Sequence, residues 1–297
     1  MCDETTEREL DKYLERKAMT RREFTKGAYV TLAASALFPP AGAGPDREPS
    51  NLIEREVFIP TPDGDLDGLF VSPAEGAHAA VIMWPDIHGV RPAFFDMARR
   101  LAGSGYSVLA PNPYYRSHGG RLFPEGMTIR EPGGRALVGP HYQLLSPATV
   151  VADARSLVAW LDRQPAVDLK RGIGAIGFCM TGSWTLQAAA ARPNRIKAAV
   201  SFHGGGLVSG SDDSPHLGAS KIQGGVLIAI AENDHVREPE VLSVLRESFE
   251  MAGVPAEIEV YDDAMHGWVP TDSRAHNPEQ ADRAWGRMLA LFQRELS

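Results

Sequence analysis

Residues 174–191 read GAIGFCMTGSWTLQAAAA and contain the turn on which the prediction of the fold rests. Gly174–Phe178 is a short apolar run typical of a buried strand, and Ser183–Ala191 is rich in helix-forming residues. Between them, Cys179 occupies a tight turn from strand to helix, which lifts one side chain above the edge of a sheet. Gly177 suits this turn because a Cβ atom there would crowd the neighbouring strand. The amino end of the following helix favours a thiolate and a developing oxyanion, so the pattern predicts that Cys179 is a nucleophile.

The alternation of strands and helices extends through the chain from Glu54 onward. An antiparallel pair is predicted around the Asp63-Gly64 turn. The predicted strands are Glu54–Pro60, Leu66–Ser72, Ala79–Trp84, Ser107–Ala110, Gly174–Phe178, Ala198–Phe202, Val226–Ala231 and Glu257–Tyr261. The predicted helices are Phe94–Ala102, Thr149–Asp162, Ser183–Ala191, Glu240–Ala252 and Pro278–Leu296. This order predicts an α/β fold with a mainly parallel sheet and helices on both faces, and with catalytic groups at the carboxyl ends of strands.

Two segments depart from this alternation. Residues 111–147 show no clear period and are rich in Pro, Gly, His and Arg, which indicates a functional loop or lid. Residues 1–50 differ in composition from the rest, so we divide the chain into an N-terminal segment (1–50) and a catalytic domain (51–297).

The N-terminal segment has two interpretations. Arg21-Arg22, followed by an apolar run (Gly27 to Phe38) and by Ala41-Gly42-Ala43, resembles a twin-arginine signal, which predicts export to the periplasm. Alternatively, Thr20 and Glu23 form a capping box that begins a helix. The charged stretch before them favours a helix as well, which predicts a helical hairpin retained on a cytoplasmic enzyme.

Composition excludes several classes of protein. The net charge is −8, and it lies entirely on residues 44–297, because residues 1–43 hold seven acidic and seven basic side chains. An acidic body argues against nucleic acid or an anionic membrane as partner, and the apolar run is too short for a stable membrane anchor. The two cysteines, Cys2 and Cys179, are not expected to form a structural disulfide. The spacing of His and Cys predicts no metal site, and the glycines of Gly172–Gly177 lie along a strand, unlike those of a dinucleotide-binding loop.

The sequence from Gly177 to Gly182, Gly-Phe-Cys-Met-Thr-Gly, resembles the nucleophile motif of the dienelactone hydrolase family. These are α/β-hydrolases that carry cysteine where relatives use serine, and the resemblance extends over residues 52–297. It implies a carboxymethylenebutenolidase-like enzyme that cleaves an ester or lactone without a cofactor. The family pattern is Gly-x-Cys-x-Gly-Gly, so Thr181 departs from it and crowds the turn.

The acid and the base are expected after later strands, in the order nucleophile, acid, histidine. By match to the family, Asp234 is the acid that follows strand Val226–Ala231, with Glu232 as the alternative. His266 follows the last strand and precedes the final helix, the position of the general base. The predicted chemistry is attack by sulfur, with Asp234 holding the imidazole in the required tautomer.

The loop after strand Ala79–Trp84 is expected to supply part of an oxyanion hole. By match to the family, the two donors are the backbone N–H groups of Ile87 and Met180. Asp86 stands where the family has a glutamate that takes part in activating the thiol, and a cap of its own loop is the alternative role. His203-Gly204-Gly205-Gly206 spells a lipase-type oxyanion motif but follows the wrong strand.

The family holds the substrate carboxylate with arginines, one of which is replaced here by Pro270. The candidates for substrate binding are Arg116, Arg121, Tyr142 and Trp268, with Arg130, Arg135 and His118 nearby. The expected partner is a small ester or lactone, and the oligomeric state is not predicted. Two other functions stay open: a carboxylesterase or thioesterase acting on larger neutral substrates under the 111–147 loop, and a non-catalytic small-molecule binding protein.

Overall fold

The computed structural model of the protein describes residues 4–27 and 51–297. Within these residues one eight-stranded sheet has the order β1-β2-β4-β3-β5-β6-β7-β8. The strands are β1 (Leu52–Thr61), β2 (Gly64–Pro73), β3 (Ala80–Trp84), β4 (Ser107–Pro111), β5 (Ile173–Phe178), β6 (Ile196–Phe202), β7 (Gly225–Ala231) and β8 (Ala256–Tyr261). β2 pairs antiparallel with β1 and β4, and the other neighbours are parallel. The predicted, mainly parallel sheet is confirmed.

Helices pack on both faces of this sheet, and the described residues form eight α-helices in all. They are α1 (Glu4–Gly27), α2 (Pro92–Gly103), α3 (Gly134–Tyr142), α4 (Pro147–Leu161), α5 (Gly182–Ala191), α6 (Glu232–Arg237), α7 (Glu240–Ala252) and α8 (Pro278–Glu295). A hydrophobic core lies on each face of the sheet, and successive residues of a strand point into opposite cores. Ala175 belongs to the core that contains residues of α4, α5 and α7, and Ile176 belongs to the core that contains residues of α2 and α8. Strands β3, β4, β5 and β7 are therefore buried along their whole length, which explains the continuous apolar runs of the sequence. The edge strands β1 and β8 are partly exposed.

The segment 111–147, predicted as a loop or lid, contains α3 and is attached to the body. Tyr114, Phe123 and Val138 are buried in the core on the α4 side of the sheet. The backbone N–H of Ile129 donates to His88 Nε2 at 3.2 Å, which ties the segment to the loop after β3.

The N-terminal segment begins with one continuous helix, α1, which passes through Thr20 and Glu23. The capping-box prediction was therefore wrong, because the charged residues before Thr20 are themselves helical and dock on the body. Arg21 and Arg22 lie in the last part of α1, whereas Cys2, residues 28–38 and residues 41–43 lie outside the described residues. Among the described residues, no single helix is long and apolar enough to cross a membrane, and the bent pair of α3 and α4 meets that criterion by length and composition only.

Candidate active site

Loops at the carboxyl ends of β3, β5, β6 and β8 meet at one cavity of about 620 Å³. Its wall includes Asp86, Cys179, His203 and His266, one residue from each loop. Parallel strands bring their carboxyl ends to the same edge of the sheet, so side chains far apart in sequence converge there. The predicted nucleophile and base thus face one space.

The turn at Cys179, the predicted nucleophile, has a strained backbone. Cys179 has φ +54°, in the left-handed region, which costs on the order of 1–3 kcal/mol for a residue with a side chain. A Cβ atom at Gly177 would lie 2.1 Å from the Thr181 carbonyl oxygen, and one at Gly182 would lie 2.4 Å from Gly204 Cα. Glycine is therefore required on both sides of Cys179, as the sequence pattern predicts for Gly177.

Thr181, the departure from the family pattern, stabilises this turn through its hydroxyl group. The side chain is fully buried, and its Oγ1 accepts a hydrogen bond from the Phe178 N–H at 2.9 Å. The same hydroxyl lies 3.1 Å from the Trp84 carbonyl oxygen, to which it can donate. The crowding expected from a β-branched residue is offset because its polar atom bridges the end of β3 and the end of β5.

Asp234 holds the imidazole of His266. Nδ1 of His266 lies 2.6 Å from Oδ2 of Asp234, and the backbone N–H of His266 donates to Asn233 Oδ1 at 2.8 Å. Burial raises the pKa of Asp234, but His266, His203 and Arg237 together outweigh this effect and hold that pKa below its ordinary value. Glu232, the alternative acid, instead accepts the backbone N–H of Asp263 at 2.6 Å. The His266 Nδ1–H is therefore directed at Asp234, which leaves Nε2 as the basic nitrogen.

Tyr114 links the two predicted oxyanion-hole residues, a role that sequence reasoning missed. Its hydroxyl donates to the Ile87 carbonyl oxygen at 2.7 Å and lies 3.7 Å from Met180 Sδ. Burial and the neighbouring charges of Asp86 and Cys179 raise the pKa of Tyr114 well above its ordinary value, so the hydroxyl stays a neutral donor. The loop after β3 is thereby fixed against the elbow.

Asp86 lies in the cavity wall but is engaged by Arg91. Nη1 and Nη2 of Arg91 donate to the two Asp86 oxygens at 2.7 and 2.9 Å, and Asp86 Oδ1 also accepts the backbone N–H of His88 at 2.9 Å. Burial raises the pKa of Asp86, but Arg91 and His88 together outweigh this effect and hold that pKa well below its usual range. Arg91 also donates to Asp272 at 2.6 and 3.0 Å. These contacts favour the alternative role of Asp86, a cap of its own loop, over activation of the thiol.

The substrate-binding candidates separate into two groups. Arg121 lines the cavity. Tyr142 is not among the residues of the cavity wall, although burial and then the nearby Cys179 raise the pKa of Tyr142. Arg116 lies outside the cavity wall, because Asp153 and Asp63 bind its guanidinium at 2.7 and 2.8 Å. Trp268 is fully buried and stacks on Tyr261 at 5.4 Å between ring centroids, so it belongs to the core and not to a substrate wall. We do not retain Arg116 and Trp268 as substrate-binding residues.

His203, the first residue of the rejected lipase-type motif, also lies in the cavity wall. Its ring packs edge to face on His266, with 5.0 Å between ring centroids. The sequence predicted that His203 follows the strand after Cys179, but only its contacts in the structure identify it as a neighbour of His266. In the described part of the chain, no group of three or more His, Cys, Asp or Glu side chains is arranged to hold a metal ion.

Comparison with known proteins identifies the family and the fold of this chain. The sequence signature of the dienelactone hydrolase family matches residues 66–296. The "Putative carboxymethylenebutenolidase" of Synechocystis sp. is 30% identical over 244 residues, which cover 81% of this chain and 96% of that protein. The carboxymethylenebutenolidase of Rhodococcus opacus is 28% identical over 77% of this chain and 86% of its own length. Among solved structures, the "Putative Dienelactone Hydrolase" of Klebsiella pneumoniae superposes with a TM-score of 0.70 at 28% identity, covering 82% of this chain and 98% of that one. The chain has the α/β-hydrolase fold and belongs to the dienelactone hydrolase family.

Proposed function

We propose that the protein hydrolyses a carboxylic ester or lactone with Cys179 as nucleophile, His266 as general base and Asp234 as the group that orients the base. Hydrolysis of esters or lactones follows from membership in the dienelactone hydrolase family. The assignment of the three residues rests on one observation: Asp234 binds Nδ1 of a histidine that shares a cavity with a cysteine at a strained elbow.

The chemical steps follow from the direction of the imidazole. His266 Nε2 takes the thiol proton while the Cys179 sulfur forms a bond to the carbonyl carbon of the substrate. The tetrahedral intermediate collapses to a thioester as the alkoxide leaves and receives that proton from His266. A water molecule, deprotonated by His266, then attacks the thioester and releases the acid and the free thiol. Asp234 stabilises the imidazolium in each step by accepting its Nδ1–H.

The oxyanion of both tetrahedral intermediates requires two donors. We assign them to the backbone N–H groups of Ile87 and Met180, whose loops Tyr114 holds together. Each such donor contributes on the order of 3 kcal/mol in the transition state.

A specific observation favours neutral substrates, such as the esters or thioesters that a carboxylesterase or thioesterase would hydrolyse. The Arg91 guanidinium in the cavity wall is already paired with Asp86 and Asp272. A cation that is compensated by two carboxylates has little remaining attraction for a substrate carboxylate. The partner that we propose is therefore a small ester or lactone without an obligatory negative charge.

The test of this function is hydrolysis of a chromogenic short-chain ester by matched cysteine variants. We expect Cys179→Ala to lose activity by a factor of about a thousand or more, and Cys179→Ser to retain little. Cys2→Ser, which removes the other cysteine, should keep the wild-type rate. Substantial turnover by pure, folded Cys179→Ala would exclude Cys179 as nucleophile, and no turnover of any ester or lactone by the wild type would favour a binding protein.

A further inference from the structure

Helix α1 docks on α6, which carries the predicted acid, and on the loop after β8, which carries the predicted base. It precedes residues 66–296, the part of the chain that matches the family signature. Leu10 of α1 is only 2% exposed and packs in a small hydrophobic cluster with Met265 and Ala275. Met265 directly precedes His266 in sequence, so the apolar contact of α1 falls on the loop of the base.

Glu9 connects α1 to α6, the helix that contains the predicted acid. Its Oε2 accepts hydrogen bonds from Asn233 Nδ2 at 3.1 Å and from Arg237 Nη2 at 2.9 Å. Asn233 in turn accepts the backbone N–H of His266 at 2.8 Å, and Arg237 Nη1 lies 3.8 Å from Asp234 Oδ1. Glu9 therefore orients Asn233, which binds the backbone of the predicted base, and Arg237, which faces the predicted acid.

Tyr13 and Lys17 connect the same helix to the loop after β8. The Tyr13 hydroxyl donates to Oδ1 of Asp263 at 2.6 Å, and Lys17 Nζ lies 2.7 Å from Oδ2 of the same carboxylate. Asp263 has φ +58°, a strained conformation for a residue with a side chain, and these contacts stabilise it. Asp263 lies between β8 and His266, so its conformation determines how the chain approaches the base.

We propose that α1 is a positioning element of the active site, which fixes α6, the helix of Asp234, relative to the His266 loop through Glu9, Leu10 and Tyr13. The proposal rests on the proposed function, since it assigns a role to α1 in the same reaction. In the proposed reaction, catalysis depends on the contact between His266 Nδ1 and Asp234 Oδ2 and on the direction of His266 Nε2. A displacement of about 1 Å of such groups lowers the reaction rate strongly. None of the three α1 residues lines the cavity, so their effect is on kcat and not on substrate binding.

The experiment compares variants of α1 in the full chain. Glu9→Gln removes the charge that Arg237 and Asn233 bind, and Tyr13→Phe removes the hydroxyl that Asp263 binds. Glu15→Gln is the matched control, because it removes the same charge from an exposed position of the same helix. We expect kcat to fall about fivefold in Glu9→Gln and about tenfold in the double variant, with KM changed by less than about twofold. Glu15→Gln should match the wild type.

A second measurement does not depend on turnover. In a Cys2→Ser background, iodoacetamide reports the reactivity of Cys179 alone, which depends on where the His266 imidazole stands. We expect slower alkylation in Glu9→Gln and Tyr13→Phe than in Glu15→Gln, at equal far-UV circular dichroism. If kcat and alkylation rate are unchanged in the double variant, α1 is only attached to the surface and the proposal fails, although hydrolysis by Cys179 stands. If the wild type hydrolyses no ester, the proposed function fails and the alkylation rates still decide the role of α1.

Discussion

At the scale of single residues, His203 shows how burial lowers the pKa of a side chain beside His266. It is only 1% exposed, and among the described residues neither ring nitrogen has a hydrogen-bond partner. Its ring is enclosed by His266 and Trp268, at 5.0 and 5.1 Å between centroids. Burial, and then the nearby His266, lower the pKa of His203 to about 3. His203 is therefore neutral wherever the enzyme is folded at ordinary pH.

This shift predicts a dependence of stability on pH. The unfolded chain binds a proton at His203 below about pH 6.5, whereas the folded chain excludes it down to about pH 3. The stabilising contribution is thus fully present above pH ~6.5 and is lost as the pH falls, by about 1.4 kcal/mol per pH unit. His203→Phe should flatten the fall in the free energy of unfolding between pH ~6 and ~4, as measured by urea denaturation. His78→Phe, at a partly exposed position before β3, should keep the wild-type slope, and equal slopes for all three proteins would contradict the expectation.

At the scale of structural elements, the connection between β5 and α5 depends on the hydroxyl of Thr181. The Phe178 N–H is buried in the elbow and donates to this hydroxyl. Loss of the acceptor would leave a buried donor without a partner, which costs about 1–3 kcal/mol. Cys179 has its strained backbone conformation in the same turn, so weakening the turn would also change the position of the Cys179 side chain.

We therefore expect Thr181→Val, which keeps the shape but removes the hydroxyl, to lower the free energy of unfolding by about 1–3 kcal/mol. Thr181→Ser keeps the hydroxyl and should lie much closer to the wild type. Both variants are compared by urea denaturation, with ester hydrolysis measured in parallel. A Thr181→Val protein as stable as Thr181→Ser would mean that the hydroxyl bridge between β3 and β5 contributes nothing.

At the scale of the whole molecule, the distribution of charge bears on substrate choice. The body carries a net negative charge, and the buried Arg91 is compensated by two carboxylates. Arg121 remains in the cavity wall, its Nε bound to the Phe123 carbonyl oxygen at 2.7 Å, and no carboxylate among the described residues pairs with it. Arg121 and Arg130 are the arginines of the 111–147 segment that line the cavity, and of these two we test Arg121 as a replacement for the arginine expected at Pro270.

We predict that an anionic dienelactone is not strongly preferred over a neutral ester with a leaving group of equal pKa. A charge-assisted contact contributes about 1.5–3 kcal/mol, or about tenfold to a hundredfold in kcat/KM, so a ratio within about tenfold indicates that this contact is missing. The measurement is the ratio of kcat/KM for the two substrates. A preference above about a hundredfold that disappears in Arg121→Ala, and persists in the exposed Arg135→Ala, would show instead that Arg121 binds the carboxylate.

The sequence by itself determined the features that depend on local pattern. Continuous apolar runs marked strands buried on both faces, and their order with amphipathic helices predicted the parallel sheet. The glycines around Cys179 predicted the elbow because no larger residue fits the turn, as the 2.1 Å approach at Gly177 demonstrates. The position of His266 after the last strand followed from chain order alone.

Only the tertiary structure decided which side chains meet. Glu232 and Asp234 lie in one short helix, and the direction of each side chain, which sequence order does not specify, sends Asp234 to His266 and Glu232 to the Asp263 backbone. Likewise, Arg116 is bound by Asp153, Trp268 is buried against Tyr261, and α1 docks on loops more than two hundred residues away. These contacts depend on how the sheet and its loops pack, and those of Arg116 and of α1 join residues that are distant along the chain, so they leave no periodic or local signal in the sequence.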